Sequence, residues 1–157
     1  METIKGRKNN RNNNMTSLIR SQKQYLNTLL VPLNEGRGGV SPAYFNRALN
    51  VNPIQYALMN NNATVHGIAL ARNLNNGNSR YINVIAARKG SGAKLMNNIK
   101  NNTKKNGKHY IRLSSVPNAV GFYLRQGFKK NGNTNRNGLI PMVFSITPLV
   151  VTLKRKR

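Results

Sequence analysis

The chain of 157 residues has no cysteine, no tryptophan and no aspartate, and its only acidic residues are Glu2 and Glu35. Without cysteine, disulfide scaffolds, thiolate zinc sites and cysteine nucleophiles are excluded, and no metal site is expected. Long apolar runs are also missing. The longest, Leu139 to Leu153, covers 15 residues and is broken by Pro141 and Pro148. A membrane span needs roughly 20 apolar residues, so this stretch reads as core strands. The opening METIKGRKNNRNNN has basic residues but no apolar run behind them, which does not fit a secretory signal. The expectation is an intracellular protein, cytoplasmic or nuclear, with no membrane partner. Hydrophobic residues make up 38% of the chain and gather in its middle and C-terminal parts. Residues 1–14 therefore read as a disordered basic leader, 15–153 as one domain with a real core, and 154–157 (KRKR) as a basic tail.

Basic residues and asparagine are abundant. Lys and Arg total 26, the net charge is +24, and there are 28 asparagines. Many asparagines stand in turn contexts such as NNGN (75–78) and NGNTNRNG (131–138), where Asp would serve equally well. If every Asn were an Asp, 26 basic residues would face 30 acidic ones and the net charge would be −4. Three origins fit this pattern: adaptation to nucleic acid, an Asn-rich proteome, or a chain whose aspartates were changed to asparagine.

Ser41-Pro42 opens a helix through SPAYFNRALN, with Ser as N-cap and Pro at the first helical position. IQYALM (54–59) and TVHGIALARNL (64–74) read as a hairpin of strands, and YINVIAA (81–87) as a buried strand. Leu95, Met96 and Ile99 place a helix over 93–105, stopped by Asn106-Gly107. HYIRLSS (109–115) alternates as a strand. Pro117 opens a short helix that Gly127 closes, and LIPMVFSI (139–146) forms a late strand. The order implies an α/β sandwich with a mixed sheet.

Between the strand ending at Ala87 and the following helix lies Arg88-Lys89-Gly90-Ser91-Gly92. Glycines let the backbone approach a ligand and aim several N–H groups at one point. A helix N-terminus favours negative charge, and two cations add to it. The segment reads as an anion-binding turn, or as a glycine-rich turn with solvated basic residues. It is not a P-loop, because the Gly-Lys-Ser/Thr ending is absent, and it lacks the third glycine of a dinucleotide fingerprint.

About 25 residues on comes NAVGFYLRQGF (118–128). The two segments, in this order and at this separation, resemble the GNAT acetyltransferases. That family carries an Arg/Gln-x-x-Gly-x-Gly/Ala turn followed by an Asn-x-x-Ala-x-x-Phe-Tyr-x-x-x-Gly-Phe helix. The pattern departs at Ala87, where the family has Arg or Gln, and at Asn118, which directly precedes Ala119. The resemblance implies an α+β fold with a mixed, mostly antiparallel central sheet, a splayed central strand pair and flanking helices. It implies acetyl-CoA as co-substrate and an unidentified amine acceptor. The amides of Arg88, Lys89, Gly90, Ser91, Gly92 and Ala93 would hold the pyrophosphate. The backbone of Val84, Ile85 and Ala86 would pair with the pantetheine arm, Asn118 would hydrogen-bond it, and Tyr123 would sit near the sulfur.

Acetyl transfer to an amine needs a proton acceptor, a stabilised oxyanion and a protonated leaving thiol. Tyr123 is the expected acid. Glu35 and His66 are the candidate bases, with His109 a further relay. Plain structural roles stay open beside these: Phe122 and Phe128 as packing, Asn118 as a helix cap, Tyr123 as a buried tyrosine, Glu35 as a surface glutamate, and His66 and His109 as strand residues. The alternative function is a basic nucleic-acid-binding or catalytically inactive protein on the same scaffold.

Overall fold

A computed structural model describes residues 2–5, 31–32, 42–59 and 65–146. Glu2–Lys5 forms β1 and Val31–Pro32 forms β2. Helix α1 (Pro42–Val51) leads into β3 (Ile54–Met59), β4 (Val65–Asn73) and β5 (Ser79–Ala87). Helix α2 (Gly92–Lys105), β6 (Tyr110–Ser115), a 3₁₀ turn (Pro117–Ala119), α3 (Val120–Arg125), β7 (Lys129–Lys130) and β8 (Ile140–Ser145) complete the order. Glu35, Ser41 and the basic tail 154–157 lie outside the described residues.

The strands form one sheet in the order β1-β3-β4-β5-β6-β8-β7, with β2 pairing to β5 off that path. Every described pair is antiparallel except β5–β6. The leader reading gives way at its start, because Glu2–Lys5 pairs with Tyr56–Met59. An unpaired outer edge of β3 offers a row of backbone donors and acceptors, and local composition does not decide whether a strand fills it.

Each sheet face has its own core. Tyr56, Leu58, Ala71, Ile82 and Leu113 meet Leu95, Met96 and Ile99 of α2 on one face. Ala57, Ile68, Leu70 and Val84 meet Ala48 and Leu49 of α1 on the other. The central strands are buried on both faces, which explains their continuous apolar runs. Helix α3 ends in a Schellman turn: the Gly127 amide donates to Leu124 O and the Phe128 amide to Tyr123 O, both at 3.0 Å. Gly127 takes φ 95°, and a Cβ there would meet Phe144 Cε1 at 3.0 Å. The stop expected at Gly127 thus also turns Phe128, 2% exposed, into the core.

One polar group sits deep in the α2 side. Arg80 is 2% exposed. Its Nε donates to Asn73 Oδ1 at 3.1 Å, Nη1 to Tyr56 Oη and Asn102 Oδ1 at 2.9 Å each, and Nη2 to Asn106 Oδ1 at 3.2 Å. Tyr56 in turn donates to Asn102 Oδ1 at 2.6 Å. A buried guanidinium is thus held by three asparagines and a tyrosine, with no carboxylate among these partners.

Candidate functional site

The turn after β5 is anchored to β4 and closed by its own backbone. The Arg88 amide donates to His66 O at 2.8 Å and the Ser91 amide to Arg88 O at 2.9 Å. Gly90 takes φ 88°, a left-handed conformation that glycine adopts without steric cost. Helix α2 then starts with no side-chain cap bond from Ser91 and no acid in its first turn. The first amides of a helix have no intrahelical acceptor, so this end is a donor cluster next to two cations. Two of the six amides expected to face an anion are already committed, that of Arg88 to β4 and that of Ser91 inside the turn. The amides of Lys89, Gly90, Gly92 and Ala93 have no backbone acceptor among the described residues.

A cavity of about 590 Å³ opens at this turn, lined by Ala87, Arg88, Lys89, Gly90, Gly92 and Ala93. Its other wall is Phe122, Arg125 and Gln126 of α3 and its cap. The sequence points to packing for Phe122 and to no role for Arg125 and Gln126. Their spacing of i, i+3 and i+4 on a short helix was the available signal. Lys100 fixes this wall from α2, donating to Gln126 O while its ammonium lies 4.3 Å from the Phe144 ring centroid.

Beside the cavity the sheet opens. The parallel ladder joins Ser79–Tyr81 to Tyr110–Arg112 and stops there, although β5 continues to Ala87 and β6 to Ser115. On that edge, Pro32 stands opposite Ala86 and Val31 opposite Ala87. The stretch Ile82–Ile85 has no partner strand on that edge among the described residues, a gap of about 13 Å at the usual strand rise. Val84 and Ile85 therefore lie in the open stretch. Ala86 departs from expectation, because β2 already pairs with it.

The remaining site residues separate. Asn118 is exposed in the 3₁₀ turn and does not line the cavity. Tyr123 is 0% exposed and packs edge-on against Phe122 and Phe128, with ring centroids 5.3 and 5.6 Å away. Its hydroxyl is buried without a hydrogen-bond partner, and burial pushes the phenol pKa well above its ordinary value. His66 is half-buried on β4, and its Nε2 is also buried without a partner. Burial, and then the nearby Arg88 charge, lower its pKa from the ordinary 6.5.

The His66 shift has a measurable sign. The unfolded chain binds this proton more readily than the folded one, so the contribution is present above about pH 6.5 and is lost as pH falls. With two histidines and two glutamates in the chain, few groups titrate in this range. The melting temperature is expected to drop between pH 7.5 and 5.5, and His66→Gln to flatten that drop. An unchanged slope in the variant would show that His66 is not perturbed.

No curated protein sequence matches the chain. The family model for the acetyltransferase (GNAT) domain matches residues 39–144. Among solved structures, Tetrahymena GCN5 aligns with TM-score 0.66 at 18% identity, covering 94% of this chain and 98% of that one. An aminoglycoside 6'-N-acetyltransferase complexed with coenzyme A aligns with TM-score 0.62 at 16% identity, covering 94% and 98%. A GNAT family acetyltransferase from Elizabethkingia anophelis, with acetyl-CoA bound, aligns with TM-score 0.57 at 14% identity, covering 76% and 99%. At these identities the likeness concerns the fold. No described helix is long and apolar enough to cross a membrane.

Proposed function

The chain belongs to the GNAT acetyltransferase family, and from that premise we propose that it moves an acetyl group from acetyl-CoA to an amine by direct transfer. The observation that carries this reading is the cavity of about 590 Å³ between the Arg88–Ala93 turn and α3, with Arg88, Lys89 and Arg125 in its lining. Its size suits a cofactor, and its cations suit the phosphates. Bound acetyl-CoA supplies an activated thioester. The amides of Lys89, Gly90, Gly92 and Ala93 hold the diphosphate, and Arg88 and Lys89 add charge. The open edge Ile82–Ile85 receives the extended arm as an added strand would be received. N–H groups on that edge around Val84 and Ile85, which no described strand pairs with, serve the oxyanion.

Tyr123 keeps its proton at neutral pH and has a donor without a partner, which suits the role of acid toward the leaving thiol. His66 stays neutral at pH 7 with an unused Nε2, which suits the role of base toward the amine. Glu35 is the other candidate base. The scarcity of acids leaves little to grip a cationic acceptor, so a neutral small amine or an acidic protein suits the site better than a lysine-rich tail.

A mass-spectrometric screen tests this. Acidic peptides, lysine-rich peptides and small amines are incubated with protein and acetyl-CoA. Acetyl-CoA-dependent mass gain is expected on an acidic peptide or small amine. Absence of acetylation on every acceptor, with no CoA released, would overturn the reading.

A further inference from the structure

We propose that the sheet face opposite α2 is a binding surface for single-stranded nucleic acid, separate from the acetyl-CoA cavity. Strand register places five residues side by side across five strands. Arg72 pairs with Tyr81, Tyr81 with Arg112, Arg112 with Val143, and Val143 with Lys129. Paired residues project to the same face, and the sequence neighbours Ala71, Ile82, Ile111, Leu113 and Met142 belong to the core on the other face. With strands about 4.8 Å apart, the row spans about 19 Å.

The row is cationic and aromatic. The Arg72 guanidinium lies 5.1 Å from the Tyr81 ring centroid, and the Arg112 guanidinium lies 5.2 Å from that of Tyr110. Arg112 Nε donates to Ser79 Oγ at 3.0 Å, and Tyr81 Oη to Ser114 Oγ at 3.3 Å. These bonds tie Arg112 to β5 and Tyr81 to β6. A guanidinium lying on a tyrosine presents its outer face to a base, while its charge serves a phosphate.

This half of the face has no helix over it among the described residues. The core beneath α1 includes no residue of β6 or β8. Arg72, Tyr81, Arg112 and Val143 are half-buried and Lys129 is exposed. Charge selects the partner. The only acid among the described residues is Glu2, on β1, beyond β3 from this row. A polyanion with stackable rings matches both features, whereas diffuse charge alone would need neither the row nor the stacking.

Fluorescence anisotropy with labelled oligo-U and oligo-dT, against a duplex of equal length, tests the proposal across a salt series. Saturable binding is expected, tighter for the single strands. Arg72→Gln with Arg112→Gln should weaken it more than tenfold and reduce the slope of log K against log salt by about 1.4. Tyr81→Leu should weaken it roughly tenfold with the slope unchanged, and Tyr81→Phe should retain it. Lys104→Gln with Lys105→Gln, an equal charge loss on exposed positions of α2, should stay within about threefold of wild type. Melting curves establish that each variant is folded. Equal losses in the two charge variants, equal affinity for duplex, or capture of anionic lipid vesicles without oligonucleotide binding would overturn the proposal. Acetyl-CoA binding by the Arg72/Arg112 variant is expected to equal wild type, so the two sites fail or stand separately.

Discussion

Tyr123→Phe is expected to lower turnover by about 100-fold or more while leaving acetyl-CoA affinity unchanged and raising the melting temperature slightly. The opposite signs follow from one observation, a buried hydroxyl with no partner. Leaving a buried hydroxyl unsatisfied costs about 1–3 kcal/mol, so removing it without changing the ring relieves that cost. For a domain of this size, about 1 kcal/mol corresponds to roughly 2–4 °C. The ring contacts to Phe122 and Phe128 survive in phenylalanine. Burial keeps the phenol protonated, so the hydroxyl can act only as a donor near neutral pH. Steady-state kinetics and a melting curve on one preparation check both halves. Wild-type turnover in the variant would reduce Tyr123 to a packing residue.

Asn102→Asp is expected to raise stability by about 2 kcal/mol, a shift of about 4–8 °C. Asn102 Oδ1 already accepts from Arg80 Nη1 and Tyr56 Oη. The guanidinium has borne its desolvation without a counter-charge among these partners, and a carboxylate at the same acceptor position turns the Arg80 bond into an ion pair and the Tyr56 bond into a charge-assisted one. Breaking the cage works in the other direction. Asn102→Leu leaves Arg80 and Tyr56 donors short of an acceptor and should cost about 3 kcal/mol or more. Thermal melts of the two variants should therefore move apart. If Asn102→Asp melts below wild type, the carboxylate's own desolvation outweighs its pairing with Arg80.

The same cage bears on the missing aspartates. Asn73, Asn102 and Asn106 converge on one buried cation, a place where an acid would serve. In the sequence the excess of asparagine shows only as turn composition and bulk charge. Nothing in the local pattern links residues 73, 80, 102 and 106, because their meeting depends on how α2 lies across β4 and β5.

The rest of the fold was legible where the signal is local. Strands β3 to β6, α2 and the stop at Gly127 follow from apolar spacing and from glycine and proline positions. Elements that depend on pairing were not legible. Strand β1 is polar at both ends and exists by completing an edge of β3. The pairing of Pro32 with Ala86 has no periodic signature. At the site, the turn is legible through its glycines and basic residues, but its hydrogen bonds are not: the Arg88 amide is taken by β4 and the Ser91 amide by the turn itself. The α3 wall is half legible: Phe122 stands in the motif, while Arg125 and Gln126 matter only through how α3 faces the turn.

Acetyl-CoA binding to the folded protein, measured by thermal melting of wild type and Gly90→Val, tests the central claim most directly. A Cβ at Gly90 meets nothing within 4 Å, so the substitution strains only the left-handed turn and leaves the core intact. At ligand about 100-fold above Kd, wild type should gain about 2.7 kcal/mol and melt roughly 5–10 °C higher. Gly90→Val should melt cooperatively without ligand and gain little from it. No shift in wild type at millimolar acetyl-CoA, or an equal shift in both proteins, would contradict the assignment of this turn as the cofactor site.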